Sequence, residues 1–273
     1  MTGMYALVAG ILGLTLGSFA NVVAYRVPAG ISLLRRSRCP SCGALIELSR
    51  NIPVLSWLML TGRCEHCQVR IPLRYPAVEA LTGAAFAGLV LLVTDGWGLS
   101  GLAAVLVWTA FASFVVVTSV LVQIDLATRR LPDPIVRTGY LLALVPLALA
   151  GIVDGDAASI LRALAGMAAM YLAYWLIRAA RPGGLGGGDV KLAGLAGIYL
   201  GWLGWGALAV GWLGGFLLGG AFAVALLATR RVTRGSALAF GPWLLAGAWV
   251  GIWFGNSVWA AYAAMCGLIF VKG

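Results

Sequence analysis

The sequence predicts an all-α polytopic membrane protein with about eight transmembrane helices and one small cytoplasmic module between helices 1 and 2. Composition carries this prediction. Of the 273 residues, 62% are hydrophobic and only 10% are charged, whereas about a quarter of the residues in soluble domains are charged. A soluble protein of this size needs more charged side chains to cover its core. The mean hydropathy of +0.97 also excludes a disordered chain, which contains few apolar residues.

Apolar stretches close to the ~20 residues that a membrane helix needs recur along the chain. The first lacks a basic leading region and is followed by Arg26, so we interpret it as a retained helix and not as a signal peptide. The block Val190–Ala228 is too long for one helix, and a glycine cluster divides it near Trp202. Ser257–Val271, which Asn256 separates from the preceding span, is expected to be an interfacial tail or an incomplete ninth helix. The predicted spans are 4–24, 77–94, 101–123, 138–153, 159–177, the two parts of 190–228, and 237–255.

The distribution of basic residues predicts the orientation, because Lys and Arg are retained on the cytoplasmic side of a membrane. The loops after the first, third, fifth and seventh spans carry them, whereas the loops at 94–100 and 153–158 contain only aspartates as charged residues. This alternation places the N-terminus outside and residues 26–76 in the cytoplasm. Membrane topology also accounts for most of the basic residues behind the net charge of +10. We therefore expect membrane lipids, and not nucleic acid, as partners of these residues. The chain then divides into a first transmembrane helix at 1–25, a cytoplasmic module at 26–76 and a membrane-embedded domain at 77–273.

The module at 26–76 contains four of the five cysteines, arranged as two Cys-x-x-Cys knuckles with 21 residues between them. Four thiolates in two tight turns fit a tetrahedral zinc ion, and a segment of about 50 residues has little core to fold without a metal. Two disulfides or a redox dithiol are the alternatives, and His66 is an alternative ligand. The sequence therefore predicts a zinc-knuckle module. The predicted ligands are Cys39, Cys42, Cys64 and Cys67, whereas Cys266 is expected to be a small buried hydrophobe.

Two aspartates lie at the predicted cytoplasmic edges of membrane spans. Asp125 closes the third span, and Asp189 opens the sixth directly after a glycine-rich run at 183–188. An ionised carboxylate in lipid costs ~3 kcal/mol or more, so such residues usually face a wet cavity or a partner. For either residue alone, an interfacial or helix-capping role is the alternative. Lys191 lies about 200° round a helix from Asp189 and is not its natural ion-pair partner.

The glycines beside Asp189 favour a functional interpretation. Open backbone cannot face hydrocarbon, so Gly186, Gly187 and Gly188 are expected to be covered by protein or to line a water-filled substrate cleft. Two carboxyl groups beside such a cleft can hydrolyse a peptide, because one polarises the carbonyl while the other activates water. The sequence has no phosphate-loop or dinucleotide-binding glycine pattern, and a serine triad would have to use the knuckle residue His66.

Two other acidic residues have weaker signals. Glu79 lies in the first turn of the second predicted span, where it is as consistent with stabilising the helix dipole as with a functional role. Asp133 stands between Pro132 and Pro134, a pattern typical of a turn.

Seven segments in order along the chain resemble the prepilin leader peptidases, the membrane aspartic peptidases with a Gly-x-Gly-Asp motif. The match covers almost the whole chain, and the ordered combination is more specific than any one motif. The segments are Gly17-Ser-Phe-Ala-Asn-Val-Val-Ala-Tyr-Arg26, the paired knuckles, Asn51-Ile-Pro53 with Ser56-Trp57, Arg74-Tyr-Pro76 with Glu79, Asp125 with Leu131-Pro-Asp133, Gly186-Gly-Gly-Asp-Val-Lys-Leu192, and Phe240-Gly-Pro242.

The resemblance implies a bifunctional enzyme of the bacterial inner membrane. Such an enzyme removes the short basic leader of type IV prepilins or related pseudopilins at the cytoplasmic face. It then N-methylates the new terminus with S-adenosylmethionine. Asp125 and Asp189 match the family's catalytic pair, and Glu79 matches a glutamate linked to methyl transfer. The knuckle-bearing loop matches the module associated with that second activity.

Two functions from other classes remain alternatives at this point. A non-catalytic scaffold would use the zinc module to bind partner proteins and the aspartates only to cap helices. A transporter would use intramembrane carboxylates to relay protons, although the sequence shows no internal repeat to support it.

Overall fold

The computed structural model describes residues 2–180, 184–230 and 239–266, and its regular elements are helical. In these ranges there is no β-strand, only two isolated antiparallel bridges in the module. The predicted all-α class is confirmed, and seven of the described helices are long and apolar enough to cross a membrane. The helices are α1 Thr2–Arg26, α2 Leu55–Met59, α3 Arg74–Leu91, α4 Gly101–Thr128, α5 Asp133–Val153, α6 Ala157–Ala180, α7 Gly187–Leu203, α8 Trp205–Ala228 and α9 Gly241–Met265, with a 3₁₀ turn at Leu48–Arg50 and a π-helical turn at Leu92–Gly96.

The described ranges contain one more long helix besides the seven candidate spans. This helix, α7, has 17 residues and is shorter than each of the seven. It ends at Gly204, whose φ of 131° and ψ of 170° lie in a region open essentially to glycine alone. α8 begins at the next residue. The predicted division near Trp202 is therefore confirmed, and the conformational freedom of one glycine produces it.

Three of the helix boundaries that differ from the predicted ones change the setting of an acidic residue. α5 begins at Asp133 because Pro132 is extended, with ψ 121°, and Pro134 occupies the first turn, where a missing N–H costs no hydrogen bond. The prediction of a turn at Asp133 was wrong. α3 begins at Arg74, which places Glu79 in its second turn and not its first. α4 continues beyond Asp125 to Thr128.

The predicted break at Asn256 is also wrong, because α9 runs through it to Met265. The Asn256 side chain donates a hydrogen bond to the carbonyl of Leu203 at the end of α7, 3.3 Å away, so the amide is satisfied inside a continuous helix. Gly183, residues 231–234 of the last basic loop and residues 267–271 of the predicted tail lie outside the described residues.

The chain forms two compact units. The first comprises Met1–Ser100 and Phe111–Ile124, and the second comprises Gly101–Ala110 and Asp125–Gly273. In the first unit α1 packs along α3, where a Cβ on Gly17 would lie 2.8 Å from the Cα of Glu79. This close approach brings the C-terminal end of α1 against the beginning of α3.

Glycines also bring helices of the second unit into backbone contact. A Cβ on Gly166 of α6 would lie 2.5 Å from the carbonyl oxygen of Gly197 in α7. A Cβ on Gly247 of α9 would overlap the backbone of Gly215 in α8 and lie 2.6 Å from the oxygen of Gly211. Lipid supplies no hydrophobic force between helices, so close packing of small residues holds them together.

Replacing Gly247 by Ala is therefore expected to lower the thermal unfolding midpoint of the detergent-solubilised protein. Overpacking of this kind costs about 1–3 kcal/mol. Gly220→Ala on α8 is the matched control, because no atom lies within 4 Å of its Cβ position. The control should leave the midpoint unchanged or raise it, since alanine is the better helix former. Equal shifts for the two variants would contradict the packing described.

Candidate active site and metal centre

The four knuckle cysteines converge in the first unit. Their sulfur atoms all lie within 4.8 Å of one another, and the Sγ atoms of Cys39 and Cys67 are 3.8 Å apart. Tetrahedral zinc with Zn–S bonds of about 2.3 Å requires sulfur separations near 3.8 Å. All five cysteines are free thiols, so the structure does not support the disulfide alternative. Cys266 is exposed, which corrects the expectation that it is buried.

The two knuckles have the same backbone construction. In the first, Cys39 donates its N–H to the carbonyl of Ala44 and accepts from Gly43. In the second, Cys64 repeats both bonds with residues at the same offsets. Gly43 and Gln68 occupy the matching left-handed position, with φ of 72° and 58°. This repeat turns two separate sequence motifs into one four-sulfur site.

Hydrogen bonds within the knuckles change the acidity of the thiols. Backbone hydrogen bonding from Cys42 is the main cause that lowers the pKa of Cys39 to about 7. The corresponding bond from Cys67 lowers the pKa of Cys64. The N–H of Val69 lowers the pKa of Cys67, but desolvation and bonding to the other three thiols together raise it to about 11. Metal ligands must be deprotonated, so one thiol of each pair is prepared for that role.

Asp125 lies near the C-terminal end of α4. Its side chain is only 5% exposed, and its buried Oδ2 atom has no hydrogen-bond partner. Gly241, the first residue of α9, borders this atom, because a Cβ there would lie 2.7 Å from it. A buried oxygen without a partner requires an explanation, such as a proton, a water or a substrate group.

Asp189 lies in the first turn of α7 and is 9% exposed. Its Oδ2 accepts a hydrogen bond of 3.1 Å from the N–H of Gly186, the N-cap residue. The helix-capping role that was an alternative for Asp189 is therefore present in the structure. A Cβ on Gly186 would come within 2.9 Å of the same carboxylate oxygen, so glycine lets the side chain fold back.

The structure brings Asp125 and Asp189 together within the second unit. The two carboxylates interact electrostatically. Leu131 packs between their supporting glycines, since its side chain lies 2.8 Å from a Cβ built on Gly188 and 3.6 Å from one built on Gly241. No Arg or Lys of the described ranges forms an ion pair with either aspartate. Asp189 thus caps α7 and also interacts with the carboxylate of Asp125.

Tyr174 is a neighbour of this pair that the sequence did not reveal. The side chain is fully buried in α6, and its hydroxyl has no hydrogen-bond partner. Tyr174 interacts electrostatically with Asp189, and its ring lies 6.1 Å from that of Phe240, which precedes Gly241. An uncharged aromatic residue inside an apolar helix carries no sequence signal for such a position.

Lys191 and Asp133 form an ion pair that was not predicted from the sequence. Lys191 does not pair with Asp189, as expected, and its Nζ lies 2.6 Å from the Oδ2 of Asp133. Tyr140 donates a hydrogen bond of 2.7 Å to the Lys191 carbonyl. These contacts connect α5 to the N-terminal part of α7.

Glu79 belongs to the first unit, whereas Asp125 and Asp189 belong to the second. It is 9% exposed, and its Oε2 accepts a hydrogen bond of 2.7 Å from the N–H of Val54. Beside it, Asn21 is 5% exposed and has an unpartnered Oδ1. Both residues line a cavity of about 690 Å³ between the cysteine module and the ends of α1 and α3.

Comparison with known proteins gives consistent matches over both halves of the chain. Residues 11–93 match the bacterial peptidase A24 N-terminal domain, and residues 109–228 match the type IV leader peptidase family. A protein of Aeromonas salmonicida (strain A449) is 33% identical over 280 residues, covering 91% of this chain and 90% of the relative. Proteins of Neisseria gonorrhoeae and Pseudomonas putida are 35% and 32% identical, covering 93% and 95% of this chain and 92% and 94% of theirs. All three are named prepilin leader peptidase/N-methyltransferase. No solved structure matches the chain.

Proposed function

The chain belongs to the prepilin leader peptidase/N-methyltransferase family, and on this basis we propose that it is a membrane aspartic endopeptidase acting on type IV prepilins or pseudopilins. It removes their basic leader at the cytoplasmic face of the bacterial inner membrane. It then methylates the new N-terminus with S-adenosylmethionine as methyl donor. The N-terminus lies outside, residues 26–76 form the cytoplasmic module, and residues 77–273 form the membrane domain that carries the peptidase.

The observation that carries this proposal is the pairing of Asp125 and Asp189. Two buried carboxyl groups that interact without a cation favour a state in which they share one proton. The unpartnered Oδ2 of Asp125 leaves an acceptor or a hydroxyl directed at a reacting group. The capped Asp189 is held in place by Gly186.

Peptide hydrolysis by such a pair needs a water molecule and one shared proton. The protonated carboxyl group donates a hydrogen bond to the scissile carbonyl oxygen, while the ionised one removes a proton from water. The water oxygen forms a bond to the carbonyl carbon. Transfer of a proton to the amide nitrogen then lets the C–N bond break and releases the leader with a new carboxyl group. Gly186, Gly187 and Gly188 lie beside the pair as the backbone that holds the extended substrate.

Tyr174 acts in this reaction as a positioning residue. Its hydroxyl is a buried donor without a protein acceptor, close enough to Asp189 to interact electrostatically. A donor of this kind orients the attacking water or the developing oxyanion in a site that excludes bulk solvent. Phe240 packs against its ring and joins it to the Gly241 side of the pair.

The module supplies the second activity and its structural metal. Cys39, Cys42, Cys64 and Cys67 hold zinc, which stabilises a segment with little core of its own. S-adenosylmethionine supplies an electrophilic methyl group when it is bound. Glu79 lines the cavity of about 690 Å³ in this unit, and we assign methyl transfer to that cavity.

Asp125→Asn and Asp189→Asn should each reduce cleavage of a purified prepilin by at least about 100-fold, because each removes a proton-transfer group at nearly constant volume. Rates are measured by gel shift of the precursor in detergent. Asp154→Asn, on the exposed turn after α5, is the charge-matched control and should cleave at the original rate. Methylation of a peptide supplied without its leader should persist in both variants. Full cleavage by either active-site variant would exclude the aspartic mechanism at this pair.

Tyr174→Phe should raise the thermal midpoint while lowering kcat for cleavage about 10-fold or more. Removing a buried hydroxyl that has no partner removes its desolvation cost, whereas losing an oriented donor slows the reaction. Tyr140→Phe is the matched control, since its hydroxyl is bonded to Lys191. That variant should lose stability and retain most of kcat. A purely structural Tyr174 would show unchanged kcat at temperatures where the protein is folded.

Metal analysis of the purified chain should find one zinc ion per molecule. Cys39→Ser or Cys64→Ser should lose the metal and the resistance of the module to protease, because apparent zinc binding supplies on the order of 10 kcal/mol to such modules. Cys266→Ser should retain both properties. Stoichiometric zinc in the Cys39→Ser and Cys64→Ser variants would show that the metal is bound elsewhere.

A further inference from the structure

The cavity in the first unit has the size and setting of a small-molecule site. Its volume of about 690 Å³ lies within the range of about 300–1,000 Å³ typical of ligand pockets. Its floor is formed where the end of α1 meets the start of α3, and its roof is formed by the cysteine module. Asn21 and Glu79 are among the buried polar side chains that line it.

Glu79 is a buried carboxylate without a cationic partner. In the described part of the chain no Arg or Lys forms an ion pair with it. Arg26, the buried arginine at the same cavity, directs its Nη1 to the carbonyls of Ser32, Leu33 and Arg35. A buried charge is costly unless it is paired, so a positive group brought by a ligand would lower the free energy of this site.

The one hydrogen bond to Glu79 comes from strained backbone. Val54 has φ 61° and ψ −49°, and Leu55 donates a hydrogen bond of 2.6 Å to the carbonyl of Pro53 across it. This is a γ-turn with positive φ, which is rare and unfavourable for a β-branched residue. The turn aims the Val54 N–H at Glu79 Oε2. Such strain persists where the surroundings hold it, often at ligand sites.

Asn21 supplies a second free acceptor at the same place. Its Nδ2 donates to the carbonyl of Tyr75, 3.1 Å away, which fixes the side chain and leaves Oδ1 without a partner. Tyr75 precedes Glu79 by four residues, and Gly17, which packs on Glu79, precedes Asn21 by four. Asn21 and Glu79 therefore lie about one helical turn apart, or about 5 Å, along the α1–α3 interface.

We propose that Asn21 and Glu79 form a cation seat that receives the positive group of the methyl-transfer reaction. The arginines that line the cavity form no ion pair with Glu79. The Asn21 oxygen and the Glu79 carboxylate are therefore available to recognise a sulfonium or an ammonium. The two sources are the sulfonium of S-adenosylmethionine and the α-ammonium of the processed peptide. The inference rests on the proposed methyl transfer and adds a residue, Asn21, and a recognition chemistry to it.

Equilibrium binding to the full-length protein tests the seat independently of turnover. The probes are labelled S-adenosylmethionine and S-adenosylhomocysteine, which differ by one methyl group and one positive charge, and a processed peptide with a free or an acetylated N-terminus. Glu79→Gln retains an acceptor for Val54 and removes the charge. Asn21→Ala removes the free oxygen, and thermal midpoints verify that it folds. Glu47→Gln and Asn51→Ala, both exposed on the rim of the cavity, are the matched controls.

A seat for the sulfonium gives wild type at least a tenfold preference for S-adenosylmethionine over S-adenosylhomocysteine. Glu79→Gln and Asn21→Ala then reduce this preference towards one. A seat for the ammonium leaves that ratio unchanged, and the same variants lose a tenfold preference for the free over the acetylated peptide. Either pattern supports the proposal, provided that the rim variants retain it.

If both ratios are unchanged in Glu79→Gln, the cation seat is excluded. Cleavage of an intact prepilin and methylation of a processed peptide are measured on the same preparations. If the wild type cleaves and methylates but Glu79→Gln changes neither binding preference, only the cation seat is excluded. Wild type that does not methylate at all overturns the proposed second activity itself.

Discussion

A carboxylate removed from water must find a cation, a proton or several hydrogen-bond donors, and this requirement organises the molecule. Asp125, Asp189 and Glu79 are all buried, and none forms an ion pair within the described ranges. Asp125 and Asp189 can satisfy the requirement by sharing a proton, which is also the state that hydrolysis needs. Glu79 can satisfy it with a positive group from outside. The two proposed chemistries thus depend on one electrostatic constraint, each in its own unit.

Glycine is what makes these placements possible. Helices α6 to α9 approach one another at backbone distance through glycines such as Gly166, Gly197 and Gly247. At the aspartates the same property acts locally, because Gly186 lets Asp189 fold back on its own helix and Gly241 lets Asp125 sit against α9. Closeness of this kind excludes water from the helix contacts.

Some errors of prediction have simple physical causes. Asn256 was expected to separate two segments, yet a tertiary hydrogen bond to the carbonyl of Leu203 satisfies it inside α9. Asp133 was expected in a turn, but it is the first residue of α5 and pairs with Lys191. Tyr174 and Asn21 were not singled out as site residues, because neither residue type in an apolar run indicates chemistry. Their significance lies in an oxygen without a partner, which is a property of the packed structure.

The order of apolar spans, the paired knuckles and the identity of the two aspartates could be predicted from sequence alone. These features depend on local properties, namely hydropathy over one helix length, ligand spacing within a turn and the cost of charge in lipid. Only the tertiary structure decided that Asp125 meets Asp189, that four sulfurs form one site, and that Asn21 joins Glu79 in a cavity. These contacts join residues between 22 and 64 positions apart in the chain. Tertiary packing, which no local pattern encodes, determines which distant residues become neighbours.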